Sequence, residues 1–97
     1  MRWTLAAAAL LTLALACQMA PASRQVRGII TDVRPRDIAH TDSIQLRLDS
    51  GEELKLAVAD SVQFPPGHLR EHMVFAEPVT VTYLERPEGA LATEIVD

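Results

Sequence analysis

Two kinds of hydrophobic pattern divide the chain. Residues 5–16 form an apolar run of Ala and Leu broken only by Thr12, whereas the chain beyond residue 25 sets apolar against polar positions in short stretches. Alternation with a period of two marks half-buried strands, because successive side chains on a strand point to opposite faces. It is cleanest in residues 43–49, where Ile44, Leu46 and Leu48 share one face and Gln45 and Arg47 the other. Residues 53–58 repeat it with Leu54, Leu56 and Val58. Asp49, Ser50, Gly51 and Glu52 lie between as a turn, so the two runs predict a β-hairpin.

The flanking stretches supply further elements. Residues 26–33 are rich in β-branched side chains, but Gly28 interrupts them and the apolar phase slips between Ile29, Ile30 and Val33. A glycine with a phase slip predicts a bulged strand that bends sharply. Residues 37–42 are polar and read as a loop, with His40 in solvent. Pro65 and Pro66 exclude a strand ladder and end any preceding helix. A short helix follows over residues 68–74, with Leu69 and Met73 one turn apart, until Glu77 and Pro78 stop it. Residues 79–84 alternate again, Val79, Val81 and Tyr83 against Thr80 and Thr82. After a turn at Pro87, Glu88 and Gly89, residues 90–96 predict a fifth strand of less regular phase. Three strands, a short helix and two strands over residues 25–97 make a mainly β domain that resembles the OB-fold, a five-stranded barrel with a helix between strands 3 and 4. An SH3-like barrel is the alternative.

The first apolar run changes the picture of where the domain works. Met1, Arg2 and Trp3 give a positive start, and the run is shorter than the ~20 residues of a membrane span but the length of a signal-peptide core. Residues 1–16 therefore read as a signal peptide. Leu13, Ala14, Leu15 and Ala16 precede Cys17, the single cysteine of the chain, and together resemble the lipobox of bacterial lipoproteins. That resemblance implies lipidation of Cys17, a tether over residues 17–24, and membrane attachment through the N-terminal lipid. Ala14 stands where the family prefers Leu. Cleavage at either of two A-x-A sites, ending at Ala16 or Ala22, stays open, and the second would discard Cys17. Gln18, rather than Asp, after the cysteine resembles the outer-membrane pattern of enterobacterial lipoproteins and implies a periplasm-facing outer-membrane location.

Charge narrows the partners. The chain holds 9 Lys and Arg against 13 Asp and Glu, and Arg2 belongs to the leader. An acidic domain is a poor match for nucleic acid or anionic headgroups. OB-folds that hold single strands stack bases on aromatic side chains of strands 2 and 3. Here Phe64, Phe75 and Tyr83 all lie outside that hairpin. No nucleic-acid partner is expected.

The sharpest chemical pattern is His68, Glu71 and His72, an H-x-x-E-H spacing that resembles the zinc signature of inverzincin peptidases. One helical turn separates the two imidazoles, so both reach a common metal, with Glu71 close enough to polarise a bound water. Those peptidases also need a long helix, a carboxylate ligand on another helix well downstream and a large substrate-binding domain. Only 25 residues follow His72, and they read as strands, so no catalysis is expected. What the pattern leaves is a metal site of His68, His72 and Met73 for copper or zinc, since imidazole with thioether suits copper. A small barrel with such donors resembles the small periplasmic copper chaperones, OB-like barrels whose ligands are His, Met and a stacking Trp on the barrel strands. The matching hairpin here carries Leu46, Leu48, Leu54 and Leu56, and the one Trp is Trp3 in the leader, so those ligands have no counterparts. In a purely structural role Leu69 and Met73 plug the barrel, His68, Arg70 and Glu71 face water, and His72 lies near the core edge. The sequence thus predicts a non-catalytic envelope lipoprotein acting through contacts with an envelope protein, or alternatively a periplasmic copper- or zinc-binding protein.

Overall fold

The structure, a computed structural model, describes residues 23–97, so the leader and Cys17 lie outside the described residues. The strands are β1 (Ser23–Pro35), β2 (Thr41–Leu48), β3 (Glu53–Val58), β4 (Val79–Leu84) and β5 (Leu91–Val96), with one helix, α1 (Pro66–Val74), between β3 and β4. They close into a barrel in the order β1-β2-β3-β5-β4, with β4 paired back to β1. The β3/β5 pair is parallel and short, Ala57 opposite Leu91 and Val58 opposite Ala92, whereas the others are antiparallel. This is the mainly β, OB-like barrel expected from the element order. Among the described residues no helix is long and apolar enough to cross a membrane.

The long first strand serves both halves of the barrel. Its first part, from Ser23 to Gly28, runs along β4, and its second, from Gly28 onward, runs along β2. Gly28 is the changeover, opposite both Leu48 and Val79. A Cβ there would collide with the Arg47 carbonyl oxygen and lie 3.0 Å from Leu46 Cγ, so only glycine lets β2 approach this closely. A register shift between Ile30 and Asp32 then turns both Ile30 and Val33 inward despite their odd spacing. β1 extends beyond the expected residues 26–33, and Ser23 and Arg24, expected in the tether, are strand. Ser23, Arg24 and Gln25 are exposed, so no hydrophobic periodicity marks them. Thr41 and Asp42, expected in a loop, likewise open β2.

Ile30, Ile44, Leu46, Leu56, Val79 and Val81 fill the barrel, and Leu69 of α1 closes one end of it. The helix begins where the two prolines allow. Pro65 is extended at the N-cap, and Pro66 sits in the first turn, where a missing N–H costs nothing. It stops in a left-handed turn at Ala76, φ 50°, with the Ala76 N–H donating to Met73 O at 3.2 Å and the Glu77 N–H to His72 O at 2.9 Å. That closure satisfies two of the carbonyls a helix end leaves free and fixes the orientation of the last turn, which carries His72.

Candidate metal centre

The face that α1 turns to the barrel carries Pro66, Leu69 and His72, three residues apart in succession. Leu69 is fully buried, as expected, and Met73 is partly buried and packs on the core beside it. His72 lies deeper than the core edge: it is 6% exposed, among the few polar residues inside the protein. His68, one turn earlier, is exposed, and so are Arg70 and Glu71.

Both imidazoles point at the end of β5. The Nε2 of His72 lies 3.5 Å from Asp97 Oδ2, and the Nε2 of His68 lies 3.9 Å from the same oxygen. One ligand atom from each of His68, His72 and Asp97 lies within 4.8 Å of the others. The antiparallel pairing of β4 with β5 sets this up, because Val96 opposite Thr80 brings the end of β5 to the start of β4, directly after the helix. Phe64, on the connection into α1, lays its ring edge-on against His68 with centroids 4.7 Å apart, and the two histidine rings are 5.0 Å apart. The three rings form one side of the site. The Asp97 side chain, 59% exposed, leaves the other side open to solvent.

These distances are informative because they are too long for what they first suggest. An N–H···O hydrogen bond spans about 2.7–3.2 Å, so neither imidazole is well bonded to the carboxylate. The Nδ1 of His72 is buried with no hydrogen-bond partner. Tetrahedral ligation at about 2.0–2.2 Å would set ligand atoms roughly 3.3–3.6 Å apart, a spacing that His72 and Asp97 meet at 3.5 Å and that His68 and Asp97 exceed at 3.9 Å. His72 also lies in the last turn of α1, where the partial negative charge of the helix end favours a cation.

Of the residues singled out in the sequence, His68 and His72 come together. Glu71 is exposed and is not one of the three converging residues. Asp97 was missed, because it joins the site only through the barrel topology. The signal available was an acid directly after the last strand. A second feature, an open groove of about 510 Å³, crosses the β2/β3 face, with Arg34, Lys55 and Arg86 set among Asp42 and Glu88 and no aromatic lining it.

No protein-family model matches the chain, and no curated protein does. Among solved structures it is similar to apo-CusF residues 6–88 from Escherichia coli, with a TM-score of 0.51, at 10% identity, over 80% of this chain and 89% of that one. At that identity the likeness speaks for the fold, a small β-barrel, and for nothing finer.

Proposed function

We propose that the protein is a non-catalytic metal-binding barrel of the cell envelope, holding copper or zinc at the end of the barrel between α1 and β5. The observation that carries this reading is the convergence of His68, His72 and Asp97 around a common point, with the Nε2 of the buried His72 facing the carboxylate. The resemblance in element order to the small copper chaperones is consistent with it, though the donors here lie on the helix and not on the β2/β3 hairpin. Envelope placement and a lipid anchor on Cys17 belong to the same proposal and rest on the leader. An acylated Cys17 as the mature N-terminus, read by mass, is the expected result, and any other N-terminus removes the anchor.

Titration of the full chain with Cu(I), Cu(II) and Zn(II) tests the metal reading. One equivalent is expected to bind, and His72→Ala is expected to abolish it. Micromolar or weaker binding that His72→Ala leaves unchanged would overturn the proposal. In that case a second reading stands, an accessory module acting through contacts with an envelope protein. The observation favouring it is the exposure of Ile38, Val74 and Phe75, which are 95%, 73% and 70% accessible.

A further inference from the structure

We infer that this site takes a borderline divalent cation, Zn(II) or Cu(II), in preference to Cu(I), and holds it exchangeably through three protein ligands with one position left open. The inference rests on the metal-binding reading and narrows it by the chemistry of the donors. The converging atoms are two imidazole nitrogens and one carboxylate oxygen. Imidazole suits zinc and copper alike, carboxylate is a hard donor that suits divalent ions, and soft thiolate or thioether sulfur selects Cu(I). Among the described residues the one sulfur, that of Met73, packs on the core cluster.

The openness follows from burial. Two nitrogens and one oxygen complete three corners of a tetrahedron, and the exposed flank of Asp97 and His68 leaves the fourth to water or to a donor from another molecule. Exchange follows from the orphaned Nδ1. A histidine in a tightly built site donates its second nitrogen to a carbonyl or carboxylate, which fixes the ring and strengthens ligation. His72 Nδ1 has no such partner, so its ring is held by packing against His68, Phe64 and the core. Lack of that support typically weakens metal affinity by roughly 10- to 100-fold, which suits transfer more than permanent structural binding.

The test uses the untagged full chain with Cys17→Ser throughout, so that the Cys17 thiol adds no metal ligand. Chelator competition is run with Zn(II), Cu(II) and, without oxygen, Cu(I), on this chain and on Asp97→Asn, Met73→Leu and His72→Ala, with folding checked by circular dichroism. Zn(II) and Cu(II) are expected to bind at least about 10-fold more tightly than Cu(I). Asp97→Asn should weaken both divalent ions by at least the roughly 10- to 100-fold that loss of an outer-shell partner costs and leave Cu(I) unmoved, and Met73→Leu should change none of the three. The Cu(II) form should show nitrogen coupling from two imidazoles in its electron paramagnetic resonance spectrum. Tightest binding of Cu(I), weakened by Met73→Leu while Asp97→Asn is silent, would overturn the inference and leave the metal-binding function standing. Absence of any His72-dependent binding would remove both.

Discussion

His72 is a costly residue for a barrel that needs only to stay folded. A buried polar group without a partner costs about 1–3 kcal/mol, and here the group is Nδ1, inside an otherwise apolar contact between α1 and the barrel. An apolar side chain of similar volume would avoid that cost. In metal-free protein, His72→Leu is therefore expected to raise unfolding stability by roughly 1 kcal/mol while ending metal binding, as read by urea denaturation and titration. A loss of more than about 1 kcal/mol would mean that the imidazole makes a stabilising contact of its own, and the site would then need no metal to explain it. The same residue shows how far local sequence reaches. The i, i+4 spacing of His68 and His72 put both imidazoles on a common side of a helix whatever surrounds it. The depth of His72 depends on α1 packing against β1, and Asp97 lies 25 positions further along the chain, where no local pattern signals the meeting. Met73, grouped with the histidines because thioether suits copper, packs against the core cluster, where its i, i+4 spacing from Leu69 places it on the apolar stripe.

Among the elements, the connections into the helix and the second strand are fastened to one another by charge. Arg36, after β1, pairs with Asp60, after β3. Within the first connection Asp37 accepts hydrogen bonds from the Ala39 N–H at 2.9 Å and the His40 N–H at 2.7 Å, which folds the turn that leads into β2. The Arg36 hydrogen bond and charge hold the Asp60 carboxyl below its ordinary value of 3.8, and the Ala39 N–H and the His40 side chain do the same for Asp37. A lowered folded-state value stabilises the protein above the unfolded value and gives that stabilisation up as the pH falls through the folded one. Denaturation midpoints measured across acid pH should thus decline below about 4, and Asp60→Asn should flatten that decline while leaving the barrel intact at neutral pH. An identical acid limb in the variant would show that the pair contributes nothing, as many exposed ion pairs do. The elements themselves were legible wherever one face is buried and the other is not: β3 and β4 have the expected bounds, and the bulge in β1 follows the phase slip after Gly28. The start of β1 was hidden because Ser23, Arg24 and Gln25 are exposed, so no hydrophobic periodicity marks them, and their pairing with β4 joins positions nearly sixty residues apart.

For the molecule as a whole, the weakest closure of the barrel and the candidate metal centre involve the same strand. β5 is paired with β4 along its length but touches β3 in register only at Leu91 and Ala92, supported by the Ala57 N–H to Ala90 O and Ala59 N–H to Ala92 O hydrogen bonds. Beyond Ala92 its other edge faces a shallow groove bordered by Val62 and Phe64. A cation shared by His68, His72 and Asp97 would tie the far end of that strand to α1, which already packs on β1. A domain with no disulfide among its described residues gains much from such a link, because a small core leaves little margin. Ligand binding to the folded state alone adds RT ln(1 + [L]/Kd), about 1.4 kcal/mol at free zinc ten times Kd. For a domain of this size that lifts Tm by roughly 6–11 °C. Amide exchange should slow most at residues 93–96, while the β1/β2 hairpin changes little. His72→Ala should erase the Tm shift and the protection together. A zinc-induced rise of equal size in that variant, or protection spread evenly over the barrel, would mean that the metal acts elsewhere and that β5 is held without it.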